Sequence, residues 1–141
     1  MSSERVAPGV KKIVSSRAKN HCEYCQTPDK YCTGSFTIDH IKPREAGGEN
    51  TLDNLAWACL GCNSHKHIKT QDKDPETGED VPLFNPRQQV WSDHFTWSND
   101  FTGVIGKTAC GRATIKALHL NREGLINLRG LLIMAGIHPP L

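Results

Sequence analysis

The sequence predicts an α+β fold. A short β-hairpin and a helix are closed at the base by four cysteines in a treble-clef-like arrangement and flanked by an N-terminal helix and C-terminal helices. Three observations predict it. Phe36-Thr37-Ile38-Asp39-His40-Ile41 alternates apolar and polar residues up to an Asp-His pair, which reads as a strand running into a loop. One CxxC lies before this strand (Cys22, Cys25) and another after it (Cys59, Cys62). The chain has 141 residues and is only 37% hydrophobic, so its core is small and a structural metal would help to stabilise it.

The elements follow in order. Residues 1–9 read as a disordered N-terminus. Val10, Ile13, Val14 and Ala18 recur at helical spacing. Residues 26–34 form a loop, a strand spans about 35–40, and residues 42–54 are a loop rich in Gly, Asn and charge. Leu55–Cys59 is a short apolar run that pairs back as the second strand of a hairpin. A short helix is expected over Gly61–Lys69. Residues 70–82 read as a turn-rich connector. Phe84, Trp91, Phe95, Trp97 and Phe101 suggest a second apolar cluster, most simply a core with no ligand role. Val104–Lys107 is a short strand, and Thr108–Leu120 and Asn121–Ala135 are two helices. The second has Asn121 as N-cap, Gly136 as stop and an apolar stripe of Leu125, Leu128, Leu131 and Leu132. The chain thus divides into a core at 10–69 and a C-terminal extension at 70–141 packed on it.

The net charge of +2 says little about partners, but its distribution says more. Lys11, Lys12, Arg17, Lys19, Lys30, Lys42 and Arg44 crowd the first third, and acid collects at Asp72, Asp74, Glu76, Glu79 and Asp80. A basic face suits a phosphate polymer, and it equally suits an ordinary solvated surface. No signal peptide and no membrane-length apolar run is visible, so a soluble, cytoplasmic protein with no membrane partner is expected. In such a compartment paired CxxC motifs bind metal more often than they form disulfides. Cys32 and Cys110 are then reduced thiols.

Cys22, Cys25, Cys59 and Cys62 supply four soft thiolates, the donor set of a closed structural zinc site. The insertion between the clips, residues 26–58, is long for a simple zinc ribbon, and it makes sense as a folded unit anchored by the metal. Inside it, Asp39 and His40 are consecutive on a strand end, so one can bind a metal while the other faces a water. Asn54 precedes the second strand and can reach across the hairpin. Asn63 follows the last zinc cysteine, so zinc would fix its helix against the hairpin. Asp39 and Asn63 are hard oxygen donors and suit Mg²⁺ or Mn²⁺. Lys66 reads as a phosphate contact or a packed stem, with the phosphate favoured. His21, His94, His119 and His138 show no partner in the sequence and read as structural.

Cys22-x-x-Cys25, Asp39-His40-Ile41-x-Pro43, Gly47-Gly48, Asn54-Leu55 and Cys59-x-x-Cys62-Asn63-x-x-Lys66 together resemble the HNH endonuclease motif in order and spacing. The resemblance covers residues 20–67. The stretch from Asp74-Pro75-Glu76-Thr77-Gly78 through Trp91-x-x-His94-Phe95 is similar to the tail of small bacterial members of that family. The resemblance implies a ββα-metal fold and hydrolysis of DNA phosphodiesters in a bacterial or phage setting. It implies His40 as general base, Asp39 and Asn63 as holders of one divalent ion (Mg²⁺ or Mn²⁺, with Ni²⁺ as an alternative), and Asn54 as the residue that orients the His40 region. The products would carry 5′-phosphate and 3′-hydroxyl ends. Many members carry His where Asn63 stands. His67, four residues on, and His65 are further candidate ligands or simply exposed polar residues. DNA is the implied partner, a homodimer is one arrangement, and the rival reading is a non-catalytic zinc-stabilised nucleic-acid-binding module.

Overall fold

A computed structural model describes residues 6–140. The first five residues, most of the expected disordered N-terminus, lie outside that range, and helix α1 already begins at Pro8 (Pro8–Arg17). Proline suits this first helical turn because its missing N–H has no helical partner there. The fold is mixed α+β, with short antiparallel strand pairs and five α-helices among the described residues. The chain divides into two units: one runs up to Thr70 and takes in Asn85–Gln88, and the other comprises Gln71–Phe84 and everything from Gln89 onward. Among the described residues no helix is long and apolar enough to cross a membrane.

In the first unit β1 (Thr37–His40) pairs antiparallel with β2 (Leu55–Ala58), with Asp39 opposite Ala56 and His40 opposite Leu55. All four residues of β2 are buried, so both of its faces are covered. Val14 of α1 is fully buried, and Phe36 and Trp57 meet with ring centroids 5.9 Å apart. The outer edge of β2 is closed by side chains. Arg17 (2.7 Å) and Arg87 (3.0 Å) both donate to the Leu55 carbonyl, and the Trp57 N–H donates to Glu23 Oε2 at 2.8 Å. An edge occupied in this way offers little to a foreign strand. Arg87 also pairs with Glu23, which ties Asn85–Gln88 into this unit. Helix α2 (Leu60–Lys66) follows β2 directly. It stops three residues short of the expected Lys69 because His67 adopts φ 51°, which ends the helix.

The second unit corrects the sequence reading in three places. Residues 70–82 are no mere connector: β3 (Gln71–Lys73) and β4 (Asp80–Pro82) form an antiparallel hairpin around the Asp74–Gly78 turn. After α3 (Trp91–His94), β5 (Phe95–Trp97) pairs with β6 (Val104–Gly106). Helix α4 (Ala109–Leu118) is capped by Thr108, whose hydroxyl accepts from the Gly111 N–H. Gly111 permits close approach, since a Cβ there would lie 2.1 Å from the His94 carbonyl oxygen. Helix α5 spans Glu123–Met134 with Arg122, not Asn121, at the N-cap. The Asn121 amide instead brackets Val104, accepting from its N–H at 2.7 Å and donating to its carbonyl at 2.9 Å. The expected α5 stripe also shifts. Leu131 is 64% exposed, while Arg129 is buried and donates to the carbonyls of Thr102 and Leu120, each at 2.9 Å.

Candidate active site

The four cysteines come from two matching knuckles. In each, the second cysteine's N–H donates to the first cysteine's sulfur at 3.4 Å, Cys25 to Cys22 and Cys62 to Cys59. All four are buried, and their Sγ atoms lie within 4.8 Å of one another. Cys25 and Cys59 sulfurs are 3.8 Å apart. That is about the edge of a tetrahedron with ~2.3 Å from centre to vertex, so the cluster is compatible with structural zinc. Burial pushes the Cys22 thiol well up, whereas hydrogen bonds from Cys22, Cys25 and Cys62 pull Cys59 far down. Cys59 is also the N-cap of α2, so the cysteine cluster and the start of that helix are one structure.

Alternation along β1 buries Asp39 and leaves His40 half-exposed. Asp39 is 3% exposed and accepts from the Tyr24 hydroxyl at 2.6 Å. Lys66 approaches both of its oxygens, at 3.2 and 3.3 Å. Burial raises the Asp39 carboxyl above its usual range, while Lys66 and Tyr24 pull it back. Burial and Asp39 together hold the Tyr24 hydroxyl protonated far into alkali. A carboxylate offers about four lone-pair sites, so these contacts leave acceptor capacity for a cation.

Lys66 is not the expected phosphate contact. It is 1% exposed, and its ammonium also donates to the backbone carbonyls of His40 (3.2 Å) and Ile41 (3.0 Å). Nothing in the local sequence marks it for burial, because the partners that satisfy its three donors come from a strand more than twenty residues away.

One cleft of about 440 Å³ is lined by Asp39, His40, Asn63 and His67, with Arg44 and Glu45 also on its wall. Asn63 reaches it from the first turns of α2, and His67 from beyond the helix end. An acidic oxygen and an amide oxygen on one polar cleft form a donor set that suits a hard divalent ion. Asn54 is not on this cleft. It lines a neighbouring one of about 760 Å³ with Lys42, Gly47 and Gly48. Its side chain accepts from the Lys42 N–H at 2.8 Å and donates to the carbonyls of Lys42 (3.0 Å) and Glu49 (2.9 Å). The His40 ring is met by Asn50, whose Oδ1 lies 2.5 Å from Nε2. Sequence reasoning passed over Asn50 because it sits among successive polar and glycine positions with nothing to single it out.

Residues 22–69 match the family model described as HNH endonuclease. No curated protein and no solved structure matches the chain. The match covers about a third of the chain and spans the hairpin, both cysteine knuckles and helix α2, so this segment is similar to HNH endonucleases.

Proposed function

We infer that the protein is a metal-dependent endonuclease that hydrolyses DNA phosphodiester bonds inside the cell. The observation that supports this reading best is the single cleft shared by Asp39, His40 and Asn63 within the matched segment. Asp39 and Asn63 would hold one divalent ion, Mg²⁺ or Mn²⁺. Such an ion stabilises charge on the transition state and on the leaving 3′ oxygen. His40 takes a proton from the water that attacks phosphorus, the general-base task for which imidazole is the commonest side chain. Lys66 and Tyr24 hold the Asp39 carboxylate in place, and Asn54 braces the loop from Lys42 to Glu49. The four cysteines fix α2, and with it Asn63 and Lys66, against the hairpin. One such cleft cuts one strand, and a homodimer would cut both.

The test incubates supercoiled plasmid with the zinc-loaded protein and Mg²⁺, Mn²⁺ or Ni²⁺, beside His40→Ala. Nicked or linear product is expected from wild type. Loss of at least about a hundredfold in rate is expected from the variant, the low end of what a positioned general base contributes. Chelation of the added ion should also stop the reaction. Equal cutting by the two proteins would reject His40 as the base, and a wild type that binds DNA without cutting would favour the non-catalytic module.

A further inference from the structure

Asn54, expected to orient the His40 region, holds the loop that follows His40 rather than the ring itself. The three hydrogen bonds of the Asn54 side chain all go to backbone groups of Lys42 and Glu49. Those bonds close a tight loop. Gly48 N–H donates to the Pro43 carbonyl at 3.0 Å, and a Cβ on Gly48 would lie 1.7 Å from the Lys42 carbonyl oxygen and 2.9 Å from Asn54 Nδ2. Only glycine permits that approach. The residue after the clamped Glu49 carbonyl is Asn50. Its side-chain oxygen meets the His40 ring at 2.5 Å from Nε2.

An amide oxygen can only accept, so the ring nitrogen facing it carries the proton. In a neutral imidazole the other nitrogen then holds the lone pair. We propose that Asn50 is the positioning residue for His40, keeping the ring proton on Nε2 and leaving Nδ1 to accept the proton of the attacking water. This rests on the nuclease reading above. In the step itself the water O–H bond breaks and its proton goes to Nδ1 as the new O–P bond forms. The P–O3′ bond then breaks, and the leaving oxygen takes its proton from solvent. Asn50 keeps its acceptor role throughout, because the ring carries a proton on Nε2 in both its neutral and its cationic form. The clamp thus works in series: Asn54 holds the Glu49 carbonyl, the loop delivers Asn50, and Asn50 orients His40.

Asn50 is exposed, so its substitution should leave the fold intact. The experiment uses the full-length, zinc-loaded protein labelled with ¹⁵N at histidine, with the His40→Ala spectrum identifying the ring signals of residue 40. Wild type should show one protonated Nε2 and one unprotonated Nδ1. Asn50→Ala should average the two signals and lower kcat on plasmid by about tenfold or more, with KM and melting temperature unchanged. Asn50→Asp, which keeps an oxygen acceptor in place, should restore the Nε2–H pattern and most of the rate. Ring signals and kcat that stay at wild-type values in Asn50→Ala would overturn the proposal. If wild type does not cut DNA, the nuclease reading falls, and the ring spectra by themselves still decide whether Asn50 sets the tautomer.

Discussion

A buried lysine ammonium needs full compensation, and Lys66 finds it on one strand end. It touches both Asp39 oxygens and the carbonyls of His40 and Ile41. These contacts join the helix that carries Asn63 to the strand that carries Asp39 and His40. Lys66→Met keeps most of the stem volume and removes the charge. Asp39 is then left buried without its cation. Removing one partner of a buried pair costs about 3–5 kcal/mol, a large share of the stability of a small domain. The denaturation midpoint of the zinc-loaded protein should fall accordingly, and Asp39→Asn added to Lys66→Met should recover part of the loss. An unmoved midpoint in Lys66→Met would mean that the pair contributes nothing. Little at this scale could be read from the sequence. The Asp-His pair stood out by its place at the end of an alternating run, whereas burial of Lys66 and delivery of Asn50 depend on contacts across chain separations that no local pattern records.

Elements with strong patterns were legible and weak ones were not. The hairpin of β1 and β2 follows from alternation on one side and an apolar run on the other. The hairpin of β3 and β4 has strands of three residues each, Gln-Asp-Lys and Asp-Val-Pro, mostly exposed and lacking apolar alternation. What secures it is the turn residue Asp74, which is fully buried and takes two hydrogen bonds from Arg112 of α4, each at 2.9 Å. The Glu76 N–H and the Thr77 hydroxyl donate to the same carboxylate, at 3.1 and 3.0 Å. Led by Arg112, these donors hold the Asp74 carboxyl far below the usual carboxylate range. A carboxyl depressed in the folded state stabilises above its unfolded pKa, near 3.9, and that contribution is lost as pH falls toward the folded value. Urea midpoints should therefore decline from about pH 5 downward in wild type. Asp74→Asn should be less stable at pH 7 and show a shallower decline in acid. Parallel curves for the two proteins would show that Arg112 gains nothing from the charge. In α5 the expected N-cap failed for a related reason: Asn121 serves β6 instead, so a tertiary partner outcompeted the local one.

At the scale of the whole chain, the two units reach order by different physics. The first surrounds its cysteines with a few apolar residues, among them Val14, Phe36, Leu55 and Trp57. Apparent zinc-binding energies of about 10–16 kcal/mol in small metal-folded domains match or exceed the about 5–15 kcal/mol by which native domains are stable. Metal removal should then unfold this unit outright. The second unit contains no such cluster among its described residues and buries an aromatic and aliphatic core instead. Phe84 and Phe95 meet edge-on at 5.3 Å, Trp91 stacks on Phe95 at 5.0 Å, and Leu118, Leu120 and Leu132 are buried in the same unit. The tryptophans divide the same way, with Trp57 in the first unit and Trp91 and Trp97 in the second. Fluorescence can therefore watch each unit separately. In a Trp91→Phe/Trp97→Phe variant, a strong zinc chelator should shift the Trp57 emission to the red, and Cys59→Ser should show that shift without chelator. In a Trp57→Phe variant, the emission of Trp91 and Trp97 should hold under the same treatment. Trp57 emission indifferent to both chelator and Cys59→Ser would leave the four sulfurs without a metal to hold, and α2 would then need another anchor for Asn63 and Lys66.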